Sequence, residues 1–170
     1  MNTVLSIEDL NNAFSNIENT KKYELIEENY KLAYHNIPQS LFGSKSPYIQ
    51  IKIGNNYYKT LIDTGAEVSV IPEDIILKEN LDFLIDDRYK AKMYGIGNSD
   101  SIGKIHYLEI EYNNYKIPIS FTVLSKNNKL NNLILGMNFI NNYSININFK
   151  KYQLEFENFN IPFNLEDSKI

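Results

Sequence analysis

The chain has 170 residues, 43% of them apolar, with 13 Tyr, 9 Phe and a formal charge of −4. That is enough apolar material for one domain with a real core and a small appendage, too much for a disordered chain, and too acidic, with Arg88 its one arginine, for a nucleic-acid footprint. The absence of cysteine excludes disulfides and thiolate metal sites, and His35 and His106 stand far apart without ligand-like neighbours, so neither a metal nor another cofactor is expected.

The first residues carry neither the basic nor the apolar segment of a signal peptide. No apolar run approaches the roughly 20 residues that a membrane-spanning helix needs. A soluble cytoplasmic or nuclear protein, without membrane or nucleic-acid partners, is expected. Ser6 followed three residues later by Asp9 has the pattern of a helix-capping box, and Ile7, Leu10, Phe14 and Ile17 then recur at helical spacing. A second helical pattern runs from about Lys21 to His35, with Tyr23, Ile26, Tyr30, Ala33 and Tyr34 on one side. Pro38 ends it, because proline cannot continue the hydrogen-bond ladder. Residues 1–38 thus read as a small helical hairpin and 39–46 as a linker.

From Pro47 the period changes to that of strands. Tyr48–Ile53 alternates, Gly54-Asn55-Asn56 turns, and Tyr57–Ile62 returns as the second arm of a hairpin. A short strand is expected over 68–71, with Pro72 at the first position of a helix and Glu73 and Asp74 in its first turn. Strands follow over 89–94 and 102–112, on either side of a polar, glycine-rich tip at 95–103. Asn113-Asn114 turns the chain into a strand over 115–124. An Asn- and Lys-rich loop leads to a strand over 133–135, a helix over 137–142, and strands over 144–149 and 152–157. Many short strands with frequent turns argue for a mostly β, barrel-like domain over 47–163, followed by a tail at 164–170.

Leu61-Ile62-Asp63-Thr64-Gly65-Ala66 places Asp63 on a tight loop straight after an apolar strand. By residue usage alone such a tripeptide arises by chance in roughly one chain in ten of this length. It gains weight from the strand before it, the small Ala66 after it, and a second segment downstream, Leu133-Ile134-Leu135-Gly136, where an apolar strand breaks at glycine. Peptide hydrolysis by carboxylates needs two of them close enough to share a proton, one as base toward water and one as acid toward the carbonyl. One chain offers one such Asp, so this chemistry demands a homodimer. Thr64 can bond across to the partner loop, and Gly65 permits a close backbone approach and a conformation hostile to a Cβ. Gly136 supports the loop from below. Tyr94, Gly95, Ile96 and Gly97 head a hairpin able to close over a peptide. Gly95-Ile96-Gly97 is also half a dinucleotide fingerprint, but Asp100 stands where the third glycine belongs and no βαβ unit surrounds it. No nucleophile elbow or phosphate loop is present.

These segments resemble the retropepsins, single-lobe aspartic proteases that dimerise. Asp63-Thr64-Gly65-Ala66 matches their catalytic loop and Ile134-Leu135-Gly136 their apolar-apolar-Gly motif. The chain is similar above all to the DNA-damage-inducible ubiquitin-shuttle proteases. Glu28-Asn29-Tyr30 through Phe42-Gly43, Gly95 through His106, Phe121 through Leu124, and Leu135 through Asn146 carry that resemblance, over roughly residues 20–157. Retroviral members usually carry Arg where Met137 stands, which leaves Glu67 without that partner. The resemblance implies a closed β-barrel acid-protease lobe after a helical domain, and an aspartic endopeptidase with Asp63 as catalytic residue. It further implies unfolded or ubiquitinated protein as substrate. A weakly active or inactive dimeric adaptor of the ubiquitin–proteasome pathway and a mobile-element protease are the other readings. The shuttle family's ubiquitin-like and ubiquitin-associated domains do not fit in this length, so the chain reads as a reduced protein or a protease-centred fragment, the former expected from Met1.

Overall fold

The computed structural model describes residues 6–15, 19–41, 45–90, 92–93, 99–127 and 132–164. The chain divides into two compact units, Met1–Ser44 and Lys45–Ile170.

In the first unit α1 spans Ile7–Ser15 and α2 spans Asn19–Asn36. The capping box is present. The Ser6 hydroxyl accepts the Asp9 amide at 3.0 Å while the Asp9 carboxylate accepts the Ser6 amide at 3.1 Å, which satisfies two donors that a bare helix end leaves orphaned. Residues 16–18, on which the expected hairpin would turn, lie outside the described residues. Pro38 does stop α2, and the chain continues as a 3-10 turn over Pro38–Leu41. Tyr23, Ile26, Tyr30 and Tyr34 are exposed along α2.

The second unit is mostly β. Its strands are β1 (Tyr48–Ile53), β2 (Asn56–Ile62), β3 (Val70–Pro72), β4 (Lys92–Met93), β5 (Ser99–Tyr112), β6 (Tyr115–Leu124) and β7 (Leu133–Leu135). They hydrogen-bond in the order β1-β2-β7-β3-β6-β5-β4. A further pairing of β1 with β5, Lys52 opposite Glu111, closes the first six of them into a barrel. Three more strands, β8 (Asn146–Asn148), β9 (Gln153–Glu155) and β10 (Asn160–Pro162), form a separate antiparallel sheet. The alternation of β1 puts Ile49, Ile51 and Ile53 into the interior, where they meet Ile105, Ile110, Phe121, Leu135 and Phe139. Burial of such side chains is the main force holding the barrel shut.

Two turns show their local cause. Gly54 takes a positive φ of 59° in the β1–β2 turn, and a Cβ there would run into the Glu79 carboxylate. That carboxylate accepts the Asn55 amide at 3.0 Å and the Tyr58 hydroxyl at 2.5 Å, so it ties the hairpin to the residue that caps helix α3 (Glu73–Lys78). These bonds hold the Glu79 carboxyl below its ordinary range, the Tyr58 bond foremost. At the β5–β6 turn Asn113 supplies the left-handed residue, with φ 51°.

Several expected boundaries move. Helix α3 spans Glu73–Lys78, and Pro72 is its N-cap, with extended ψ of 139°, not its first helical residue. The reason is tertiary: Pro72 is still in the parallel ladder opposite Leu124. Of the strand expected over 89–94, Lys92 and Met93 form β4, Tyr89 belongs to a 3-10 turn over Asp87–Tyr89 that Asp86 caps, and residues 91 and 94 lie outside the described residues. Gly103 does not belong to the hairpin tip. It lies inside β5 at a bulge, at φ 157°, where a Cβ would fall 2.7 Å from the Asp86 carbonyl oxygen. Strand β10 was not anticipated at all.

Candidate active site

Strands β2 and β7 run parallel, with Thr60 opposite Leu133, Leu61 opposite Ile134 and Ile62 opposite Leu135. Their carboxyl ends therefore emerge side by side, which brings Asp63 and Gly136 together across a long stretch of sequence. The Asp63 amide donates to the Leu135 carbonyl at 3.0 Å, one step past the ladder.

The loop after Asp63 is tight. One carboxylate oxygen of Asp63 accepts the Gly65 amide at 2.9 Å, and its carbonyl accepts the Ala66 amide at 3.3 Å. Asp63 is half-buried, while Thr64 and Gly65 are exposed. Of the two reasons expected for glycine at 65, a close approach is present and an unusual backbone conformation is not. Gly65 is not left-handed; a Cβ there would sit 3.1 Å from the Asp63 carboxylate oxygen, so a side chain would press on the carboxylate itself. Thr64 has no hydrogen-bond partner among the described residues of this chain.

The loop is zipped to the segment after β7. Met137 donates its amide to the Ala66 carbonyl at 2.7 Å and Asn138 to the Glu67 carbonyl at 3.1 Å. These are the first amides of helix α4 (Met137–Asn142), which has no turn of its own to satisfy them. Gly136 permits the approach: a Cβ there would lie 2.6 Å from both the Ala66 and the Val68 carbonyl oxygens. Beneath the loop a second small core of Val70, Leu124 and Ile134 carries the half-buried Leu61 and Ala66.

Sequence reasoning missed two polar residues here. Ser69 is fully buried. Its hydroxyl accepts the Gly136 amide at 3.0 Å and donates to the Asn138 side-chain oxygen at 2.7 Å. A small polar residue inside the apolar run Val68-Ser69-Val70-Ile71 was the one available signal.

Tyr94, Gly95, Ile96 and Gly97, expected to form the closing hairpin, lie outside the described residues. The stem of that hairpin is described. Asp86 exchanges two backbone hydrogen bonds with Lys104 of β5, at 2.8 and 3.1 Å. Its carboxylate takes a forked pair from Arg88 at 2.8 and 2.7 Å and lies 2.9 Å from His106 Nε2. Arg88 first, and then His106, hold the Asp86 carboxyl well below the usual range. A depressed carboxyl adds stability that is complete above its unfolded pKa and is lost as pH falls toward the folded one. The difference in urea midpoint between wild type and Asp86→Asn should thus persist at about pH 5 and narrow below about pH 4. A difference that vanished already at the higher pH would show that the pair is not formed.

Two open clefts on the described lobe, of about 700 and 300 Å³, border Tyr143, Glu155 and Phe156 in one case and His106, Ser120 and Asn138 in the other. Neither includes Asp63 in its lining. Among the described residues no three His, Cys, Asp or Glu side chains converge in a way that could hold a metal ion, and no helix is long and apolar enough to cross a membrane.

A family model described as aspartyl protease matches residues 38–148. The DNA damage-inducible protein 1 of Phaeosphaeria nodorum is 28% identical over 154 residues, covering 91% of this chain and 34% of that protein. Protein DDI1 homolog 2 of Homo sapiens is 25% identical over 139 residues, covering 82% of this chain and 34% of that one. The chain thus spans about a third of the length of these curated relatives. The crystal structure of the retroviral protease-like domain of Ddi1 from Leishmania major shares the fold, with a TM-score of 0.67 at 24% identity, over 75% of this chain and 100% of that one.

Proposed function

The chain belongs to the aspartyl protease family and has a retropepsin-like lobe, and from that premise we propose that it is an endopeptidase acting as a homodimer. The observation that carries the reading is Asp63 itself, a half-buried carboxylate held on a rigid turn by the β7–α4 junction. The sequence contains one Asp-Thr-Gly, whereas the chemistry needs two carboxylates, so a second copy supplies the other.

With two Asp63 carboxylates facing each other, like charges at short range cannot both ionise, and the pair holds one proton. The ionised member takes a proton from a water, which attacks the scissile carbonyl. The protonated member donates toward the carbonyl oxygen as the tetrahedral intermediate forms. In this reading the Thr64 hydroxyl, exposed in the single chain, bonds to the partner's loop. Substrate lies extended over the floor formed by the Asp63 loops, its alternate side chains entering pockets on either side. By resemblance, the substrate is unfolded or ubiquitinated protein, and the compartment is the cytoplasm, with the nucleus as a second site.

Mixing tests the dimer. Refolding wild type with an equal amount of Asp63→Asn chain should leave about half the specific activity per wild-type chain, because half of those chains pair with an inert partner in a symmetric dimer. Activity per wild-type chain that ignores the added variant, or full activity from a monomer in sedimentation, overturns the proposal.

A further inference from the structure

Resting on the protease reading above, we propose that Ser69, paired with Asn138, is a positioning residue that fixes where the Asp63 carboxylate stands.

Three connections converge on Ser69. Its carbonyl accepts the Thr122 amide at 2.9 Å, which pins it to β6 in the body of the barrel. Its hydroxyl accepts the Gly136 amide at 3.0 Å. The same hydroxyl donates to Asn138 Oδ1 at 2.7 Å. Asn138 is held in turn, with Oδ1 also accepting the Phe139 amide at 2.9 Å and Nδ2 donating to the Ser120 carbonyl at 3.4 Å. Ser69 and Gly136 are buried, so water is not at hand to replace a lost partner.

This cluster controls the Asp63 loop through the backbone on both of its sides. Leu135, Met137 and Asn138 contact Asp63, Ala66 and Glu67 by backbone hydrogen bonds of 3.0, 2.7 and 3.1 Å. Gly136 stands at the centre of those three bonds, and its own amide is the one that Ser69 takes. The hydroxyl thus locks the rung next to the rungs that hold the loop. Only a group that donates and accepts at once can do so, because Gly136 offers a hydrogen and Asn138 offers a lone pair. Ser69 is fully buried, and among the described residues no hydrogen bond joins it to Asp63, so it acts through the backbone of the loop and its main effect is expected on the chemical step. A carboxylate that must share a proton with its twin tolerates little displacement, and in a symmetric dimer any displacement occurs on both sides.

Ser69→Ala, with Ser69→Thr as the variant that keeps a hydroxyl, tests this. The substrate is a fluorescently labelled unfolded protein, and rates are scaled to folded chain. Ser69→Ala should lower kcat about tenfold with KM changed less than about twofold, and should shift the pH–rate profile; Ser69→Thr should restore both. A purely structural role would lower the urea midpoint and leave kcat per folded chain and the pH profile untouched; that result overturns the proposal. If Ser69→Ala does not fold, Asn138→Ala breaks the same bond from its other end and is read in the same way. Carbon-13 shifts of the Asp63 carboxyl and the Gly65 amide signal complete the test. Wild type without Asp63-dependent cleavage would remove the protease reading, and unchanged Asp63 and Gly65 signals in Ser69→Ala would then remove this one as well.

Discussion

Asp63→Asn should abolish the proposed cleavage and leave the lobe folded. Asparagine keeps the shape of the side chain and an oxygen that can accept the Gly65 amide, the one hydrogen bond the carboxylate makes among the described residues. Stability should therefore stay within about 0.5 kcal/mol of wild type, as for a substitution that breaks no core contact. The chemistry has no such latitude. An amide neither takes a proton from water nor donates one as an acid does, so kcat should fall by about 10³-fold or more. The measurement is cleavage of a labelled unfolded protein beside urea unfolding of both chains. Residual cleavage at the wild-type rate would show that the activity resides elsewhere or comes from a contaminant. Unfolding of the variant would show that Asp63 is a structural residue.

Gly136→Ala should cost about 1–3 kcal/mol of stability, the range for forcing extra volume into a packed interior. The backbone there, φ −98° and ψ −167°, is open to alanine, so the penalty is one of space. The new Cβ would meet two carbonyl oxygens at 2.6 Å, those of Ala66 and Val68. Both belong to backbone that is already hydrogen-bonded or threaded through the Asp63 loop, and neither can swing aside as a side chain would. Relief of the clash must open the contacts of Met137 and Asn138 with that loop, so activity per folded chain should fall as well. Gly65→Ala makes the contrast, because its Cβ meets only the Asp63 carboxylate, at 3.1 Å. It should change activity with little loss of stability. Equal urea midpoints for Gly136→Ala and wild type would sink this account.

The fold was legible wherever hydrophobic period and turn chemistry agreed. Tyr48–Ile53 alternates cleanly and is a strand of those bounds; Tyr115–Leu124, Leu133–Leu135 and the helix Met137–Asn142 also fall where expected. Misreadings arose where a distant partner overrode a local preference. Pro72 favours the first turn of a helix but is retained by β6, and Gly103 looked like part of a flexible tip but is clasped against Asp86. Ile161 is buried in β10, yet the segment 156–162 has too little period to announce a strand.

The same division holds at the site. Asp63 and Gly65 could be picked out because the signal is local, an acid and a glycine on a tight turn, and Gly136 because it breaks an apolar run, although the space that its Cβ would need is taken by the distant Ala66 and Val68 carbonyls. What only the tertiary structure decided is how those residues meet. The parallel pairing of β2 with β7 sets two strand ends side by side, and Ser69 reaches a Gly136 amide 67 residues away. A sequence prescribes which groups can donate, accept or pack, residue by residue. Which donor finds which acceptor across such a separation depends on the register of strands, and that is set by the closure of the whole barrel.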